Sequence, residues 1–169
     1  MKPEQFNKIN GYLEGLSNLI TFFGVCYGHE YRFVEIEQPI ERAVGHYNTN
    51  SNLTNHKDIK YIGLRELEYW KDELFNITAN WFFSLFRLQN IGVSVRYPDS
   101  DEEVPAELDR ESNNVCNGLI RLLEEFFEGL NVKSYILVTE AEWKDEFDWE
   151  QIYFSIDNKV YILDLYQWG

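Results

Sequence analysis

"QIYFSIDNKVYILDLYQW", residues 151–168, decides the fold. Two runs rich in aromatic and β-branched residues, QIYFSI (151–156) and VYILDLY (160–166), flank a short break at "IDNKV". There Asp157 and Asn158 are residue types that tolerate the left-handed backbone a tight hairpin turn demands. Upstream, VKSYILV (132–138) has the same character and supplies a third strand. Three successive strands predict a small antiparallel sheet built from the C-terminal third of the chain.

The preceding two-thirds follow a helical rhythm. Phe6, Ile9, Leu13, Leu16, Ile20 and Phe23 recur at steps of three and four, the spacing of one buried helix face, with Pro3 suited to the start and Gly24 to the stop. Gly11 and Gly15 lower the propensity of this helix, so its stability must come from packing. A second pattern, Leu67, Trp70, Leu74, Ile77, Trp81, Leu85 and Leu88, predicts the longest helix, its second half apolar nearly all round and so central to the core. A third helix carries Val115, Leu119, Leu122 and Phe126 and ends at Gly129. GVSVRY (92–97) alternates like a short strand stopped by Pro98. Residues 25–57 read poorly: YRFVEIE (31–37) suits a strand, PIERAVGHY (39–47) a short helix opened by Pro39, and NTNSNLTN (48–55) a loop. With no repeat and no Gly/Ser linker, the expectation is a single domain over 1–169, α+β in class, with N-terminal helices packed on the small C-terminal antiparallel sheet.

Composition fits that picture. The chain of 169 residues is 44% hydrophobic and 17% aromatic, which calls for a packed, ring-rich core. Cys26 and Cys116 match neither a disulfide framework nor a zinc knuckle and read as two buried thiols. The first ten residues lack the apolar run of a signal peptide, and NWFFSLFRL (80–88) is too short to cross a bilayer, so the expected compartment is cytoplasmic.

Charge is the strongest departure from the ordinary. The net charge is −14, and two short segments hold most of it. Residues 98–111 carry seven acids and one Arg, −6; residues 140–150, EAEWKDEFDWE, carry six acids and one Lys, −5. Such fields repel DNA, RNA and anionic membranes, so no nucleic-acid or membrane partner is expected, and they attract basic proteins.

Signatures of catalysis and metal binding are weak. His29, His46 and His56 form no HExxH pair. The calcium-like start at Asp99, Asp101 and Glu103 fails where Val104 replaces the turn glycine and Arg110 the bidentate acid. Pro98-Asp99 with Glu142-Trp143-Lys144 has the letters of a PD-ExK nuclease core, but a helix and a strand are expected between them. No nucleophile elbow and no Gly-rich phosphate loop occurs. No catalytic residue, metal or cofactor is therefore assigned, and the reading is that the chain is not an enzyme.

What stands out is aromatics among carboxylates. Glu140, Glu142, Asp145, Glu146, Asp148 and Glu150 surround Trp143, Phe147 and Trp149, in what reads as a long connection between strands. Trp143 and Trp149 serve as anchors for a cationic partner, and the acids pair with its guanidinium groups. Asp99, Asp101, Glu102 and Glu103 add long-range steering.

In these features, and in its C-terminal IYFSIDNKVYILDLYQWG hairpin, the chain resembles the small acidic immunity proteins that bacteria encode beside polymorphic or contact-dependent toxins. The resemblance implies binding to a cognate toxin domain, often a basic nuclease, and neutralisation by occlusion. Two alternatives stay open: a hydrolase using paired carboxylates across a cleft, and a self-associating structural or adaptor protein.

Overall fold

A five-stranded antiparallel sheet organises the molecule, with helices on both of its faces. The computed structural model describes residues 3–23, 28–50, 59–84, 105–141 and 147–168. In chain order the elements are α1 (Pro3–Phe23), β1 (Gly28–Ile36), α2 (Ile40–Asn50), β2 (Ile59–Glu66), α3 (Trp70–Ala79), α4 (Pro105–Phe127), β3 (Lys133–Ala141), β4 (Phe147–Ile156) and β5 (Lys159–Trp168). A π-helical turn, Asn80–Ser84, prolongs α3. The strands lie in the order β1-β5-β4-β3-β2.

The expected hairpin forms between β4 and β5. Ile156 pairs with Lys159, which leaves Asp157 and Asn158 as a two-residue loop, and Asp157 takes the left-handed conformation (φ 51°). The fold is α+β as expected, but the sheet is not confined to the C-terminal third. β1 and β2, from the first half of the chain, are its two outer strands. β1 coincides with the possible strand at 31–37; β2 was not anticipated. A register shift between Tyr61 and Gly63 interrupts β2, which hides the two-residue period that would mark it in the sequence.

β5 is buried along most of its length on both faces. It lies between β1 and β4, with α1 and α4 on one side and α2 on the other. Its neighbour β1 would be exposed at its outer edge, and α1 supplies what a further strand would. The Asn10 side-chain amide donates to the Phe33 carbonyl and accepts from the Phe33 N–H, each at 2.9 Å. Thr21 Oγ1 accepts from the His29 N–H at 3.0 Å. Satisfying these outward groups blunts the edge against pairing with another chain.

The core under α1, α3 and α4 is largely aromatic. Phe33 stacks on Tyr161 (centroids 5.6 Å apart, planes 15° apart) and meets Phe126 edge-on at 5.5 Å, while Trp70 meets Phe154 edge-on at 5.5 Å. The π-helical turn places consecutive Trp81 and Phe82 both in this core. α3 begins at Trp70, later than its apolar rhythm suggests. Leu67 is buried, but its N–H bonds to the Ser134 carbonyl at 2.8 Å, a strand-like link. α4 reaches back to Pro105, so part of the acidic segment 98–111 is helical, and Gly129 follows it at φ 78°. Cys116 is a buried free thiol. Cys26, Leu85, Leu88 and the strand expected at 92–97 lie outside the described residues. Among the described residues no helix is long and apolar enough to cross a membrane.

Candidate functional site

Strand alternation sorts the second face, the one under α2, into rows that run across β1, β5 and β4. Val34, Ile162 and Tyr153 form one row, and Ile36 with Val160 the next; α2 covers them with Ile40, Ala43, Val44 and Tyr47. The adjoining row is polar: Arg32 stands opposite Asp164, and Asp164 opposite Gln151. Beyond it come Glu30, Tyr166 and Trp149, then Gly28, Trp168 and Phe147.

Asp164, only 1% exposed, organises the polar row. Its Oδ2 accepts from the Tyr47 hydroxyl at 2.6 Å and from Arg32 Nη2 at 3.3 Å, and its Oδ1 accepts from Gln151 Nε2 at 3.2 Å. The Tyr153 hydroxyl donates to Gln151 Oε1 at 2.6 Å, which extends the network into the apolar rows. A buried carboxylate is tolerable only with such partners. Burial, then Asp164, raises the Tyr47 pKa, so the phenol stays protonated and acts as the donor. Burial opposes the charge on Arg32, but the carboxylates of Asp164 and Glu30 support it and the net shift is upward. Arg32 Nη1 also lies 3.3 Å from Glu30.

Past this row the face is only partly covered. Glu30, Trp149 and Tyr166 are half-buried, and Trp168 is 43% exposed. The Tyr166 and Trp168 rings stack with centroids 5.6 Å apart and planes 24° apart. The indole of Trp168 lies over Gly28 so closely that a Cβ there would stand 2.3 Å from Cε2; the absence of a side chain at 28 is what lets the ring lie flat. Trp149 is rooted in the apolar cluster of Ile36, Tyr153, Val160 and Ile162. The Tyr166 pKa is raised, first by burial and then by Glu30 and Asp164, a mark of the negative field at this end of the sheet.

The acidic stretch 140–150 is divided by the strands. Glu140 lies in β3, and Asp148, Trp149 and Glu150 lie in β4, so the connection spans 142–146. Five residues is an ordinary hairpin length, and the length alone therefore carries no functional signal, contrary to expectation. Trp149 and Glu150 do not share a surface: Glu150 Oε2 accepts from the Trp81 indole at 2.6 Å, on the helix-packed face. Glu142, Trp143, Asp145 and Glu146, like Asp99, Asp101, Glu102 and Glu103, lie outside the described residues.

Sequence reasoning missed Glu30, Tyr166 and Trp168, which the register brings beside Trp149. The available signal was the alternation of Asp164, Tyr166 and Trp168, which puts all three on one face. Of the histidines, His29 is buried in β1 with Nδ1 3.4 Å from Thr21 Oγ1, and His46 is exposed on α2. Among the described residues no group of three His, Cys, Asp or Glu converges as metal ligands. Comparison with protein-family models, with curated proteins and with solved structures gives no match.

Proposed function

We propose that the chain is a binding protein for a basic protein partner, acting as an immunity protein that neutralises a cognate toxin domain by occlusion. The observation that carries the reading is the partly covered end of the α2 face, where Trp149, Tyr166 and Trp168 stand beside Glu30. Trp149 is fixed at its base by the apolar cluster and Trp168 by Gly28, so both anchors are pre-organised and lose little freedom on binding. β4 begins at Phe147, directly opposite Trp168, at the aromatic end of the sheet.

In this reading the net charge of −14 speeds encounter with a basic domain, the rings fill its apolar recesses, and carboxylates occupy positions where nucleic-acid phosphates would sit. Occlusion needs no catalysis. The test is to search the neighbouring genes for a large secreted protein with a basic C-terminal domain and to co-express the chain with that domain. The wild type should restore growth and co-purify with that domain. Reversing Asp145 and Glu146 to Lys, or changing Tyr166→Ser with Trp168→Ser, should abolish both while thermal unfolding stays cooperative. Full protection by both variants would remove this surface from the account.

A further inference from the structure

The helices on the two faces are held unequally. α1 and α4 sink Ile9, Leu13, Leu119, Leu123 and Phe126 into the core, whereas of the described α2 side chains only Ala43 is fully buried, with Ile40, Val44 and Tyr47 half-buried. Between β1 and the C-terminal half of α2 lies a cavity of about 450 Å3, faced by Val34, Ile36, His46 and Tyr47, which keeps that flank of the helix from packing closely on the strand. The Tyr47 hydroxyl, 2.6 Å from Asp164 Oδ2, ties the helix to the sheet by a charge-assisted hydrogen bond.

The helix is also weak in its own right. Its 11 residues fall short of the length at which an isolated helix is stable in water, and Gly45, Asn48, Thr49 and Asn50 are poor helix formers. Gly45 has no packing reason to be glycine, since a Cβ there would meet no atom within 4 Å. Residues Glu37 to Pro39 alone join β1 to α2, a connection short enough to act as a hinge. A swing of α2 about it uncovers Ile36, Tyr153, Val160 and Ile162. Trp149 packs against the same cluster, so the uncovered rows run on from the aromatic strip.

We infer that α2 is a hinged cover, which opens as a unit while the rest of the fold stays intact and so lengthens the aromatic strip into the apolar rows of the sheet. Use of the lengthened surface by a partner rests on the proposed function; the opening itself does not. The test is native-state amide hydrogen exchange of the 15N-labelled full chain, followed by NMR under conditions where reclosing outpaces exchange. The amides of Val44 to Tyr47 should exchange at least about thirtyfold faster than those of β5. Tyr47→Phe, which leaves Asp164 its bonds to Arg32 and Gln151, should speed the α2 amides about tenfold, and Gly45→Ala should slow them about fivefold. Ile120→Val trims one methyl from the core on the far face, which the open state keeps. It should speed the β5 amides about fivefold and leave those of α2 unchanged. A smaller gap between α2 and β5, no response to Tyr47→Phe, or equal acceleration of both by Ile120→Val would each overturn the inference. If the exchange pattern fails while Tyr166→Ser with Trp168→Ser abolishes toxin binding, the cover is removed and the proposed function stands. If the pattern holds and that variant binds the toxin as the wild type does, the cover stands and the proposed function falls.

Discussion

The two faces of the sheet are held together by different physics. Under α1, α3 and α4, rings pack on rings, and the attraction is a sum of many small dispersion and burial terms around Phe33, Phe126, Phe127, Phe154 and Tyr161. Under α2 the apolar cluster is smaller and one buried carboxylate, Asp164, ties Tyr47, Arg32 and Gln151 together. The first face is closed by helices on most of its area. The second is covered for only part of its length, and its remainder carries the aromatic strip. The comparison teaches that the ring-packed core and the partly covered aromatic end lie on opposite sides of the same strands, so a substitution can be aimed at one and largely spare the other.

The largest effect should come from the closed face. Phe33→Ala removes a ring that touches Phe6, Phe126 and Tyr161 and leaves a cavity behind, at a cost of about 3–5 kcal/mol in urea unfolding. A loss below about 1 kcal/mol would mean that the rings are not close-packed.

His29, on the same face, gives the next effect and ties it to pH. Burial lowers its pKa from 6.5 to about 4, so between those values the unfolded chain binds the proton and the native one does not. Stability is therefore fully present above pH 6.5 and is lost as pH falls towards 4, by about 2–3 kcal/mol. His29→Gln should remove this component, leaving a shallower dependence of the urea midpoint over the same range; an unchanged slope would show that the imidazole titrates normally in the fold.

On the α2 face, Asp164→Ala strands the Tyr47 hydroxyl, the Gln151 amide and part of the Arg32 charge, and should cost about 2 kcal/mol. Arg32 is 41% exposed and keeps Glu30, which limits the penalty. Adding Arg32→Met should recover about 1 kcal/mol of it, measured as coupling in a double-mutant cycle, because the stranded cation is gone. Strict additivity would mean that the pair is not coupled. The smallest effect belongs to Gly28→Ala, where the new methyl pushes the Trp168 indole off the sheet. Stability should fall by about 1 kcal/mol, with a change in near-ultraviolet circular dichroism that reports the lost ring geometry.

Much of the fold was legible because the relevant patterns are local. The step of three and four in Ile9, Leu13 and Ile20 marks α1, and Asp157-Asn158 between two apolar runs marks the β4–β5 turn, without knowledge of the rest. β2 was hidden by its bulge, and the start of α3 by Leu67, which is buried for a tertiary reason yet falls on the helical rhythm. The candidate surface was only partly legible for a related reason. Residues adjacent in sequence, such as Trp149 and Glu150, point to opposite faces of a strand, whereas Glu30, Tyr166 and Trp149 meet only through a register across three strands. No string pattern encodes that register directly.

The most direct measurement is a calorimetric titration of the basic partner domain that the proposed function calls for with the wild type and with the Tyr166→Ser, Trp168→Ser variant, each checked for cooperative urea unfolding. Loss of two ring anchors should weaken affinity at least about a hundredfold while urea unfolding stays cooperative. Affinity preserved in a variant that still folds cooperatively would contradict the proposed assignment of the open end of the α2 face to the partner.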